Sequence, residues 1–250
     1  MTIFYFTATG NSLAVAKRIG GTLISIPQIA NSNNLHYKDD AIGIVFPIYW
    51  WNMPIMVRRF LDKVKLEADY LFAIGTYGSL PGAAIVSLQN QAKQNGHDFA
   101  YTNQVLMLDN YLPVFDMSKQ EKNLPKKKVT ESIEKIVSDI HNRKHMNTKA
   151  NVLKKAMTRI FVGMFKPEKN ALKYSISESC TKCGICAQVC PAKNISVTDK
   201  VKFNEHCEGC MACLHLCPKN ALRPKKQKND VRWRNPETSL TEIIESNNRT

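Results

Sequence analysis

Every cysteine of this chain falls into one of two runs with a shared spacing. Cys180, Cys183, Cys186 and Cys190 precede Pro191, and Cys207, Cys210, Cys213 and Cys217 precede Pro218. Each run reads C-x2-C-x2-C-x3-C-P, and the second repeats the first at an offset of 27 residues. Three thiolates at i, i+3 and i+6 can wrap one face of a cubane iron–sulfur cage. A short turn cannot carry the fourth thiolate to the opposite face, so that ligand comes from the other run. The spacing therefore predicts Cys180, Cys183, Cys186 and Cys217 around one [4Fe–4S] cluster. It predicts Cys207, Cys210, Cys213 and Cys190 around a second.

Zinc is the alternative, because structural zinc sites also use C-x2-C knuckles. A third cysteine at the same interval and a proline after the fourth, in both copies, favour the cluster. A disulfide framework suits smaller secreted chains, and no basic-then-apolar leader opens the sequence. The expectation is a cytoplasmic protein. From about Tyr174 to Arg223 the chain resembles a two-cluster bacterial ferredoxin.

At 250 residues the chain has room for a second domain ahead of the cysteines. Thr2–Phe6 is a short apolar run expected to be a buried strand. It breaks into Thr7-Ala8-Thr9-Gly10-Asn11-Ser12, after which Leu13, Ala16 and Ile19 repeat at helical spacing. Strand, hydroxyl-rich loop and helix N-terminus together make an anion site. The loop lacks the lysine of a phosphate-binding P-loop and the further glycines of a dinucleotide fingerprint. Hydroxyls in place of a lysine suit a phosphate monoester.

Further strands are expected at Leu23–Ile26, Ala41–Phe46, Tyr70–Gly75 and Tyr101–Leu108. Helices are expected at Pro54–Val64, Gly82–Asn95 and Lys127–His145. That alternation predicts a doubly wound parallel sheet of the α/β class. The loop of Thr7, Thr9, Gly10, Asn11 and Ser12 resembles the phosphate loop of the flavodoxins, which implies FMN. Two loops leave the carboxyl ends of strands, where such folds bind ligands. One is Pro47-Ile48-Tyr49-Trp50-Trp51-Asn52, and the other is Thr76-Tyr77-Gly78-Ser79. A flat isoalloxazine ring favours aromatic neighbours, so Trp50, Trp51 and Tyr77 are candidates to stack on it. Tyr49 and Tyr111 are close behind. If the segment is extended, Trp50 and Trp51 point to opposite sides and one of them touches the ring.

Over about residues 1–224 the chain resembles the flavodoxin–ferredoxin fusion proteins of anaerobic bacteria and archaea. That resemblance implies an FMN domain over residues 1–146 and a small α+β ferredoxin-like domain of two clusters over 174–224. Residues 147–173 form a connector. Within it, 151–165 reads as an amphipathic helix with Val152, Leu153, Ala156, Met157, Ile160, Phe161, Met164 and Phe165 in one stripe. Such a helix can lie on a membrane, but between domains it is expected to dock one on the other. Residues 225–250 are polar and expected to be a loosely ordered tail, with Trp233 anchoring its start.

The net charge of +14 lies almost wholly beyond residue 110. With no nucleic-acid motif beside it, the basic half suits acidic redox partners of ferredoxin or flavodoxin type. The leading expectation is electron transfer between two clusters and FMN. The alternative is an oxidoreductase in which the flavin reduces a small-molecule acceptor at an open ring face. Neither flavin loop contains Asp or Glu, which predicts a less penalised second reduction step than in a flavodoxin.

Overall fold

The computed structural model describes residues 1–248. Its first domain is built on five parallel strands. They are β1 (Thr2–Tyr5), β2 (Thr22–Ser25), β3 (Ala41–Pro47), β4 (Tyr70–Tyr77) and β5 (Tyr101–Leu106). Their spatial order is β2-β1-β3-β4-β5, with β1 at the switch point between β2 and β3. This is the flavodoxin-like order of the doubly wound fold, in which ligands sit beyond the carboxyl ends of the strands. The five predicted strands all form, with ends shifted by one or two residues.

Helices cover both faces. On one face α1 (Asn11–Ile19) and α4 (Val129–His141) pack with Ile3, Val45 and Ile74. On the other, α2 (Ile55–Leu61) and α3 (Ala84–Gln94) pack with Phe4, Ile44 and Phe46. A sheet buried on both sides explains why its strands read as unbroken apolar runs rather than alternating ones. A short parallel pair, His36–Lys38 with Lys65–Glu67, stands apart from the main sheet.

The cysteine segment is a small duplicated α+β unit. Two antiparallel pairs, Ser175–Ile176 with Leu222–Arg223 and Ile195–Val197 with Val201–Phe203, flank two helical turns. Those turns, Ile185–Gln188 and Ala212–His215, keep the offset of the cysteine runs. Cys186, Cys190 and Cys213 share a core with Leu108, Leu112 and Met117 of the first domain, so the two units are packed together.

Two expectations need correction. The connector helix α5 (Val152–Met164) forms, capped by Asn151 Oδ1 accepting from Lys154 N at 2.8 Å. Its apolar stripe docks only at its C-terminal end, where Phe161 packs on Trp51 and Phe165 lies between Trp50 and Gly209 of the cysteine unit. Thr158 is its one buried residue, while Leu153, Ile160 and Met164 face solvent. Over residues 225–248 the tail is not loose either, and its last two residues, 249–250, lie outside the described residues. Trp233 is buried as expected, and α6 (Leu240–Asn247) begins in a capping box of Ser239 and Glu242. The composition is polar because the segment's polar groups are spent on protein partners. Tyr5 Oη bonds Ser246 Oγ at 2.8 Å, Lys17 Nζ pairs with Glu242 at 2.7 Å, and Asn247 Nδ2 donates to Val189 O at 3.1 Å. Those contacts fasten α6 to both domains.

Candidate functional site: a strand-end pocket beside two cysteine cavities

A pocket of about 250 Å³ opens at the carboxyl ends of β1, β3 and β4. The loop after β1 supplies Thr7, Thr9, Asn11 and Ser12 to its wall, and the loop after β3 supplies Pro47, Tyr49, Trp50 and Trp51. Thr76, Tyr77 and Gly78 enter from the end of β4. Of the predicted residues, Gly10 and Asn52 are not on the wall. Gly10 is the N-cap of α1 with φ 98°, and a Cβ there would lie 2.0 Å from Thr238 Oγ1 of the tail. Asn52 closes the turn that presents the tryptophans.

The hydroxyl loop fits a phosphate. Thr7 is almost wholly buried, yet its Oγ1 has no hydrogen-bond partner. A buried hydroxyl without a partner costs about 1–3 kcal/mol, and an anion at the N-terminus of α1 would satisfy it. Its neighbours are already committed: Thr9 Oγ1 accepts from Asn110 Nδ2 at 2.7 Å, and Ser12 Oγ bonds Thr76 Oγ1 at 2.9 Å.

Trp50 and Trp51 are not extended. Tyr49 and Asn52 exchange backbone hydrogen bonds of 2.9 Å in each direction, and φ is 48° at Trp50 and 63° at Trp51. Two successive positive φ values define a type I′ turn, normally the place of Asn and Gly. Bulky residues there are strained, and strain of this kind concentrates at binding sites. The turn puts both indoles on the pocket wall, where an extended segment would have separated them. Trp50 stacks on Phe165 at 4.8 Å and meets Tyr111 edge-on at 5.4 Å. Trp51 packs against Phe161 at 4.5 Å. Gly82 permits this approach, since a Cβ there would stand 2.4 Å from Trp51 Cβ.

The pocket also holds a carboxylate that the two loops alone did not reveal. Asp109, just beyond β5, lies on its wall and accepts from Ser79 Oγ at 2.9 Å and Tyr111 N at 3.2 Å. Burial pushes its carboxyl up, while Ser79, the Tyr111 amide and the nearby Lys127 pull it back. Lys127 Nζ in turn donates to Gly78 O and Met107 O, each at 2.6 Å, and so pins the turn after β4. Neither of the two loops contains an acid, as expected, but Asp109 brings one to the same pocket from beyond β5. Leu80, Val114, Phe115 and Phe161 add apolar wall that the two loops likewise did not foretell.

Two smaller cavities each have four cysteines around them. Cys180, Cys183, Cys186 and Cys217 line one; Cys190, Cys207, Cys210 and Cys213 line the other. These are the two crossed sets predicted from the spacing. Among the described residues no three His, Cys, Asp or Glu side chains converge as one metal ion requires. Thiols ringed around a cavity suit a cage better than a tetrahedral zinc ion with ligands about 2.3 Å away. The first set reaches the surface at Cys183, beside exposed Lys182 and Lys219. The second is deeper, and Cys210 lines both its cavity and the strand-end pocket.

Two side chains at this junction carry no motif. Glu208, buried between Cys207 and Gly209, accepts from Ile55 N at 2.8 Å and Met56 N at 3.0 Å, capping α2. His215 is buried with Nε2 2.7 Å from Asn110 O, and its Nδ1 accepts from Trp233 N at 3.0 Å. Burial pushes its pKa down to about 4, so it serves as a neutral cross-link. Neither His215 nor His206 is among the residues around the two cysteine cavities.

Comparison with known proteins agrees with the cysteine segment. Residues 179–222 match the family described as the 4Fe-4S dicluster domain. The first domain is similar to several solved structures. One is two-electron reduced flavodoxin from Megasphaera elsdenii, at 18% identity over 42% of this chain and 84% of that one, with TM-score 0.31. Another is a putative flavoprotein from Bacteroides uniformis, at 17% identity over 48% and 95%, with TM-score 0.32. A third is the NAD(P)H:quinone oxidoreductase of Methanothermobacter marburgensis, at 14% identity over 50% and 93%, with TM-score 0.29. No curated protein matches the chain. Strand order and the dicluster segment together define a flavodoxin–ferredoxin arrangement. Among the described residues no helix is long and apolar enough to cross a membrane.

Proposed function

We propose that this chain is a cytoplasmic electron-transfer protein holding two [4Fe–4S] clusters and one FMN. Cys180, Cys183, Cys186 and Cys217 hold the outer cluster; Cys190, Cys207, Cys210 and Cys213 hold the inner one. Thr7, Thr9, Gly10, Asn11 and Ser12 cradle the FMN phosphate, and Trp50, Trp51 and Tyr77 flank the ring. When bound, clusters supply one-electron steps and a flavin supplies one- or two-electron chemistry. The observation that carries this reading is Cys210, which lines both the pocket and the inner cysteine cavity.

The protein's own contribution is placement. Glu208 and His215 fix the cysteine unit against the strand ends, and the aromatic turn presents Trp50 and Trp51 to the pocket. Exposed Cys183, between Lys182 and Lys219, offers an acidic one-electron carrier a place to dock.

The apolar wall of Leu80, Val114, Phe115 and Phe161 favours a second reading. A small apolar acceptor reduced in that pocket would make the protein an oxidoreductase.

Anaerobic purification with iron, sulfide and flavin analysis tests the first reading. About eight iron atoms and one FMN per chain are expected, with flavin bands over a broad iron–sulfur absorption. Zinc without flavin would overturn it. Turnover with a reduced ferredoxin and a panel of quinones, nitroaromatics and free flavins separates carrier from enzyme.

A further inference from the structure

The connector helix carries its apolar face on the outside. Exposure is 82% at Val152, 68% at Leu153, 64% at Ile160 and 76% at Met164. At helical spacing Leu153, Met157, Ile160 and Met164 form one stripe, and Val152 and Ala156 extend it. The rest of the helix is already engaged: on the far side Thr158 Oγ1 accepts from Ala83 N at 2.9 Å, and at the stripe's edge Phe161 packs on Trp51. The stripe therefore cannot turn inward without breaking the pocket wall.

Charge decides what covers it. Residues 147–173 hold seven Lys or Arg and one Glu, and Lys155 and Arg159 border the stripe one turn apart. A second copy of the helix would bring like charges together. An anionic lipid surface takes up the aliphatic side chains and the cations at once. At 13 residues the helix is too short to span a bilayer and long enough to lie in its interface. Exposed Leu80 and Val114 continue the apolar surface from Phe161 around the pocket.

We infer that α5 is an interfacial helix that seats the protein on anionic membrane surfaces, with the mouth of the strand-end pocket beside the lipid. This surface is separate from the cysteine cavities and does not depend on what the pocket holds.

Co-sedimentation of the anaerobically purified holoprotein with lipid vesicles tests the inference. One set is phosphatidylcholine alone, and the other contains about 30% phosphatidylglycerol. Binding is expected to the anionic set, weakened in about 0.5 M salt. The triple variant Leu153→Ser/Ile160→Ser/Met164→Ser should bind at least about tenfold more weakly. These positions face solvent, so its visible spectrum should match that of the parent. Failure of the parent protein to sediment with either set overturns the inference, as does undiminished binding by the triple variant. So does a dimer that needs the stripe and forms without vesicle binding.

Discussion

The side-chain amide of Asn235 donates to Oδ1 of Asn11 across 3.0 Å, joining residues 224 positions apart. The backbone repeats the link, since Asn235 N donates to Thr9 O at 2.8 Å. Trp233 Nε1 also reaches Asn11 Oδ1, at 3.4 Å. The C-terminal segment thus lies across the hydroxyl loop that ends the first strand and fixes its shape from outside.

Loosening that strap should weaken flavin binding. Asn235→Ala removes the donor to Asn11 and the acceptor for Glu237 N, so it is expected to raise the Kd for FMN about tenfold. Fluorescence titration of flavin-stripped, cluster-loaded protein measures this. An unchanged Kd would show that the loop keeps its shape unaided.

The crossed cysteine sets make the two runs separable. Cys217→Ser should empty the outer site, filled otherwise by the first run, and leave the inner one intact. Iron content should fall by about half, and one cluster signal should remain in the electron paramagnetic resonance spectrum. Cys190→Ser should do the reverse and slow flavin reduction, because its set shares Cys210 with the pocket. If each serine variant instead loses the cluster of its own run, the crossed assignment is wrong.

Asp109 is a negative charge on the pocket wall. Asp109→Asn keeps its shape and removes that charge, which should raise the potential of bound flavin by about 30–60 mV at the second one-electron step. An anaerobic redox titration reads the shift. An unchanged potential would mean that the group carries no charge in the parent.

Glu208 ties the cysteine unit to the N-terminus of α2 through Ile55 N and Met56 N. Glu208→Ala leaves one buried and one half-buried donor unmatched, at a cost of about 2 kcal/mol, or roughly 4–8 °C in Tm for a chain of this length. Anaerobic thermal unfolding followed at both flavin and cluster wavelengths checks this. Glu208→Gln, which keeps one acceptor, should lose less.

Much of this molecule was legible as local pattern. The apolar runs named the five strands because a doubly covered sheet hides both faces. Thr2 to Ser12 form the expected strand, hydroxyl loop and helix start, the parts that suffice to build an anion site. What escaped depended on backbone sign or on distant pairing. Trp50 and Trp51 read as alternating neighbours, because aromatic residues do not announce a left-handed turn. Asp109 lay outside the two loops considered, and sheet order alone carried it to the pocket. Residues 225–248 read as loose, because polar side chains satisfied by protein look the same in sequence as polar side chains satisfied by water.

The amino-acid order by itself determined how the cysteines group: their spacing is a local length, and it predicted the two crossed sets that line the two cavities. Only the tertiary structure decided where those sets are placed. It buried Cys210 against the strand-end pocket, drew the C-terminal segment over the hydroxyl loop and turned the stripe of α5 outward. Each of those outcomes balances packing and hydrogen bonding between segments far apart in the chain, and no local pattern encodes that balance.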